Sequence, residues 1–278
     1  MRQASSIPQA GKFRVASFEL FLCLALGLTG CFGRSSKTPA SDPEQQSRSE
    51  YDLARDLWLR QARPREALEH ALRSCELDDR NYEAEHIVAL LYLEFCQAGP
   101  DNCRLKEAER HARRALETKP DFREARNTLG VILIHAKRYA DAIAVLKPLT
   151  EDMLYVTPEN AWGNLGWAYL ESGALDRAID ALRRSVAAQP NFCVGNFRLG
   201  VAYEKKGELE QAVQALDAAL GTAEPRCKGL QDAYLARGRA ELKLGRGEAA
   251  KSDLGRCVEL SRSTRAGKEC DSILRKLK

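Results

Sequence analysis

The chain has 278 residues, and its 43 Lys and Arg stand against 39 Asp and Glu for a formal net charge of +4. So mild a balance, with no basic stretch interleaved with aromatics, excludes a nucleic-acid groove. Aromatics at 7% beside abundant Ala and Leu predict helices rather than strands.

At the N-terminus Arg2, Lys12 and Arg14 precede a mostly apolar stretch from Val15 to Leu28. Charge followed by an apolar run is the order of a secretory signal. Glu19 interrupts the run, and the unbroken part, Leu20 to Leu28, is far short of the roughly 20 residues that a membrane-crossing helix needs. Leu28, Thr29, Gly30 and Cys31 resemble the bacterial lipobox, in which small residues precede a Cys that is acylated and becomes the first residue of the mature chain. Residues 1–30 are therefore expected to be a lipoprotein signal peptide and Cys31 the lipidated residue. Several acyl chains hold far better than one, since each buried methylene contributes about 0.8 kcal/mol. Phe32 follows where lipoproteins retained in the inner membrane have Asp. By resemblance to that sorting rule, the expected location is the outer membrane, facing the periplasm.

Residues 32–50, "FGRSSKTPASDPEQQSRSE", are polar and carry two Pro. With Cys31 they are expected to form a disordered tether, with a root-mean-square reach of about 25 Å and a stretched limit of roughly 60 Å.

From there a pattern recurs. In residues 159–192, Trp162, Leu165, Gly166 and Tyr169 mark one amphipathic helix, Gly173 breaks it, Ala178, Leu182 and Ser185 line a second, and Pro190 ends it. In residues 193–226, Leu199, Gly200, Tyr203, Gly207, Ala212, Leu216 and Ala219 take the same places. Gly on the first helix and Ala on the second mark a close helix crossing, where a larger side chain would separate the backbones. These residues resemble the tetratricopeptide repeat. The resemblance implies an all-α, right-handed superhelix of about six helix-turn-helix units over residues 51–264. Gly130 and Gly238 mark neighbouring copies, and Ala67, Ala108, Ala142 and Ala250 sit on their second helices. The second copy holds about seven extra residues between its helices, the third two extra before Glu159, and the first is the most degenerate. Residues 265–278 are expected to form a capping helix, because the last apolar face of a solenoid has no neighbour.

Nine Cys suit an oxidising compartment. Cys23 leaves with the signal and Cys31 takes the lipid. Among the remaining seven, a bond between Cys96 and Cys103 would clip the insertion in the second copy, and Cys257 with Cys270 would staple the cap. Cys193 and Cys227 occupy equivalent edges of successive copies, where a bond requires the residues around 227–230 to swing over. Cys75 is left as a thiol on a packed helix.

No catalytic, phosphate-binding or metal-binding motif is present, so neither an enzyme, a cofactor nor a small-molecule substrate is expected. His70 and His111 fall at one repeat position and are expected on the solvent face. Binding is the expected activity. First-helix positions pointing into the concave face hold Val131, Ile134, Trp167, Leu170, Phe197, Val201, Leu235 and Leu242. If open, this apolar stripe would receive an apolar segment or amphipathic helix of a protein partner. The alternative is that part of it packs against neighbouring helices. Asn127, Glu171, Glu204, Arg239 and Lys243 would form its polar rim.

Lipid anchor, tether and six repeats together resemble the Tgl and PilF (PilW) family of outer-membrane lipoproteins, the pilotins of type IV pilus secretins. That resemblance implies a non-enzymatic helper that binds secretin subunits and promotes their multimerisation into the outer-membrane channel, supporting pilus-dependent motility. The other expectation, from a second group of repeat lipoproteins, is a periplasmic adaptor for peptidoglycan enzymes.

Overall fold

The structure, a computed structural model, describes residues 42–98, 103–223, 227 and 229–277. The expected signal peptide, Cys31, residues 32–41 and the tip of the second-copy insertion lie outside the described residues. Among those described, thirteen α-helices follow one another without a strand. They are α1 (Pro43–Leu59), α2 (Pro64–Leu77), α3 (Tyr82–Ala98), α4 (Leu105–Thr118), α5 (Arg123–His135), α6 (Tyr139–Thr150) and α7 (Pro158–Glu171). After these come α8 (Leu175–Ala188), α9 (Cys193–Lys206), α10 (Leu209–Leu220), α11 (Gln231–Lys243), α12 (Gly247–Leu260) and α13 (Arg265–Lys276). Odd and even helices pair as six antiparallel hairpins stacked in chain order, and α13 closes the stack.

One crossing recurs in the last four hairpins. A Cβ added to Gly166 would lie 2.6 Å from Leu182 Cγ, and one on Gly200 2.5 Å from Leu216 Cγ. Gly130 faces Leu146 and Gly238 faces Leu254 in the same way. The Leu partners are fully buried, so the missing side chain on the first helix is the space that the Leu of the second helix fills. The turn between the paired helices is equally regular. Gly173, Gly207 and Gly245 adopt φ of 82°, 87° and 75°, whereas Ala62 and Lys137 hold the same turn at 53° and 59° despite their side chains.

The tether expectation needs correcting, because residues 43–50 are the first half of α1. The Asp42 side chain accepts from the Glu44 N–H at 3.2 Å and Pro43 occupies the first helical position, a pre-organised start. This polar stretch is held by a polar contact rather than an apolar one. Ser47 is fully buried, and its hydroxyl donates to Ser74 O at 2.9 Å while Ser74 Oγ donates back to Ser47 O at 2.7 Å. Asn81 Nδ2 adds a third bond to Ser47 Oγ at 2.9 Å.

The cysteines pair as Cys96 with Cys103, Cys193 with Cys227, and Cys257 with Cys270, leaving Cys75 free. The last pair is fully buried and ties α12 to α13. Thr264 caps α13 by accepting from the Gly267 N–H at 3.0 Å and donates to Gln231 Oε1 at 2.6 Å. The closing helix is thus held by a covalent bond, a cap and a polar link to α11.

The crossing and the turn respond oppositely to substitution. Gly200→Ala should destabilise the protein by about 1–3 kcal/mol, since Leu216 and the Ala212 carbonyl leave no room. Lys137→Gly should stabilise it by about 0.5–1 kcal/mol by relieving the left-handed backbone. Urea unfolding followed by circular dichroism measures both.

Candidate partner-binding face

First helices touch one another along the stack, α1 on α3, α3 on α5, and so on to α11 on α13, while second helices make no comparable contacts among themselves. The first helices therefore converge on the inner, concave side.

The expected apolar groove is mostly filled. Ile134 and Leu170 are 3% exposed and Leu235 6%. Val131 and Trp167 pack against the core around Ile132 and Leu165, and Leu242 packs against the core of the last repeat. No open stripe crosses four repeats, because first helices touch both their own partner and the next first helix, and aliphatic side chains fill the wedge. Two of the eight, Phe197 and Val201, are half-buried and meet the buried Leu235 at one cleft. Phe197, Val201 and Leu235, with Ala236 and Ala266, floor a cleft of about 350 Å³ walled by Glu171, Asp232, Arg239, Arg265 and Glu269. This is room for one or two side chains of a partner and not for a helix.

The remainder of the concave face is polar and bonded to itself. His86 Nε2 lies 2.9 Å from Thr128 Oγ1, and Asn164 Nδ2 donates to Asn127 Oδ1 at 3.0 Å. Arg198 donates to Asn164 Oδ1 at 3.0 Å and to the Gly163 carbonyl at 3.2 Å. The Arg198 guanidinium also lies 4.2 Å from the Trp167 ring centroid, and the His135 ring meets the same indole edge-on at 5.2 Å. Burial pulls the Arg198 pKa down to about 10, against the opposing pull of Glu171. Burial likewise holds His86 neutral, with its pKa lowered to about 4.

Beside the cleft sits a charge cluster made of three of the expected rim residues. Glu204, 6% exposed, accepts from Arg239 Nη2 at 2.8 Å and from Lys243 Nζ at 3.0 Å, and Arg239 reaches on to Glu269 at 3.2 Å. Burial alone would raise the Glu204 pKa, but the hydrogen bonds and charges of Arg239 and Lys243 hold it below its usual value.

His111 is not on a solvent face, and His70 is only partly exposed. His111 is 3% exposed with Nδ1 2.5 Å from Glu85 Oε2, and His70 lies 2.5 Å from Glu50 Oε2. The acids come from the preceding first helices, which a single-helix pattern does not reveal. Sequence reasoning also missed Asn164 and Arg198. The available signal was a polar residue just before the Leu-Gly pair in two successive copies. It missed the loop after α6 as well, where Met153, Leu154 and Val156 are 98%, 72% and 82% exposed while Tyr155 between them is buried.

Family models described as tetratricopeptide repeat match residues 102–153, 154–191, 195–224 and 231–264. Among solved structures the chain is similar to PilW, described as a widely conserved type IV pilus biogenesis factor. The identity is 23% over 81% of this chain and 98% of that one, with a TM-score of 0.68. It is similar to PilF of Pseudomonas aeruginosa at 19% identity, over 83% of this chain and 99% of that one, with a TM-score of 0.63. A tetratricopeptide repeat protein from Parabacteroides merdae is similar at 17% identity over 87% of each chain, with a TM-score of 0.65. At these identities the likeness is one of fold. No curated protein matches the chain.

The Glu204 cluster makes stability depend on pH in a stated direction. Its folded pKa is depressed, so its contribution is complete above the ordinary value of 4.5 and is lost as pH falls through the folded value. Glu204→Gln should therefore destabilise the protein by about 1–3 kcal/mol at pH 7. The gap between the two proteins should close below pH 4.5 in denaturation series at several pH values.

Proposed function

We propose that this chain, which belongs to the tetratricopeptide-repeat family, is a non-catalytic assembly factor of a type IV pilus. It binds subunits of the outer-membrane secretin and promotes their multimerisation. The observation that carries this reading is the likeness to PilW, a type IV pilus biogenesis factor, which covers 81% of this chain and 98% of that one rather than a few shared repeats.

On this reading Cys31 carries the lipid and the repeats face the periplasm. Because α1 begins at Pro43, the chain between Cys31 and the first hairpin spans at most about 40 Å. The repeats therefore work close to the membrane surface, nearer than a tether running to residue 50 would set them. The cleft at Phe197, Val201 and Leu235 supplies an apolar contact, and its charged walls orient a polar backbone or basic flank of the subunit. A contact of one or two side chains is weak alone. Membrane anchoring raises the local concentration at which it operates.

Deleting the gene should abolish heat-resistant secretin multimers and surface pili. Complementation with Phe197→Ser/Val201→Ser should fail to restore them, whereas Met153→Ser/Leu154→Ser in the exposed loop should succeed. Normal multimers in the deletion strain would overturn the function, and the reverse complementation pattern would move the contact to the loop. Independently, cells fed labelled palmitate should mark the wild-type protein and leave Cys31→Ser unmarked and released from the membrane fraction. Label on the Cys31→Ser protein would remove the anchor from the account.

A further inference from the structure

The thiol of Cys75 and the buried His111–Glu85 pair meet at a single point. Cys75 from the end of α2, Glu85 from the first turn of α3 and His111 from α4 place a sulfur, a carboxylate oxygen and a ring nitrogen all within 4.8 Å of one another. Glu85 is 1% exposed and His111 3%, while Cys75 is half-buried, which leaves one side of the cluster open to solvent.

Hairpin packing does not demand this cluster. At the place of His111 the third, fourth and fifth hairpins have Val145, Ala181 and Ala215, and the sixth has Asp253, paired with Arg237. Ion pairs recur at this position, and what distinguishes the second hairpin is the thiol of Cys75 set beside the pair. The preceding hairpin provides an internal comparison. His70 takes the equivalent position and meets Glu50 at the same 2.5 Å, but no thiol joins that pair.

We propose that Cys75, Glu85 and His111 form a three-ligand site for a divalent transition-metal ion of the zinc class. Thiolate, imidazole and carboxylate are the donors that zinc accepts, and two anionic ligands neutralise its charge. A soft sulfur in the set disfavours calcium and magnesium. Tetrahedral bonds of about 2.0–2.3 Å require ligand atoms about 3.3–3.8 Å apart. The His111–Glu85 pair, at 2.5 Å, is closer than that range and opens by about 1 Å as the metal enters between the two. Binding releases the Cys75 thiol proton to solvent, while the hydrogen that His111 held on Nδ1 is taken up on Nε2. His111 then carries its hydrogen on Nε2, and the exposed Arg110, whose Nη2 lies 3.5 Å from that nitrogen, turns outward. A water molecule completes the coordination on the open side. The ion would fasten α2, α3 and α4 together, joining the first two hairpins without a fourth disulfide.

The test is titration of the full chain, stripped with chelator and with its disulfides intact, with cobalt(II). One equivalent should produce a sulfur-to-cobalt charge-transfer band that zinc bleaches and that disappears in Cys75→Ala. Zinc affinity should fall at least about 10–100-fold in that variant, since even second-shell changes have effects of that size. His70→Ala should bind as the wild type does, and metal-free thermal melts establish that both variants are folded. Absence of the band at one equivalent, or a band that survives Cys75→Ala, would overturn the site. Neither result bears on secretin assembly.

Discussion

The close approach of each first helix to its own second helix is the contact on which the molecule depends. A Gly on one helix and a Leu sixteen residues later on the other interlock at Gly130 and Leu146, Gly166 and Leu182, Gly200 and Leu216, and Gly238 and Leu254. Each hairpin so formed has an apolar face it cannot bury alone, so it stacks on the next. Stacking brings first helix against first helix and consumes most of their aliphatic side chains. What faces the concave side is then what the packing left over: polar residues bonded to one another, one aromatic half covered by Arg198 and His135, and a small cleft with an apolar floor and charged walls near the closing helix.

How much of this was legible in the sequence follows from how local each feature is. The Gly and Leu of a crossing, and the Gly of each turn, are set by one hairpin and recur at a fixed spacing, so they can be read along the chain. The start of α1 could not be read that way. Its buried contact is made by Ser47 against Ser74 and Asn81, and a serine looks the same in a tether as in a core. The groove residues were placed on the correct helices, but whether a side chain is open depends on the neighbouring first helix, as Ile134 and Leu170 show. The Cys75, Glu85 and His111 cluster draws one residue from each of three helices, a combination with no linear spacing to find.

These features divide the protein by role. Each of the first two hairpins is held by a His–Glu pair between its own helices, the first also by buried serines, and on our proposal a metal ion joins the two. The last two are tied by disulfides at Cys193–Cys227 and Cys257–Cys270. The proposed contact cleft lies in this disulfide-braced end, where Glu204, Arg239 and Glu269 lock α9, α11 and α13 to one another. On the proposed function, a braced end carrying the cleft suits a protein that must hold a subunit.

The central claim is that the cleft touches secretin subunits in the cell. A photocrosslinking amino acid placed at Val201, on the cleft floor, and in parallel at the exposed Lys251 on α12, tests it most directly. The account predicts that irradiated cells yield a crosslink to the secretin subunit from position 201 and none from position 251. Equal crosslinking from both positions, or none from 201 in cells that assemble pili, would contradict it.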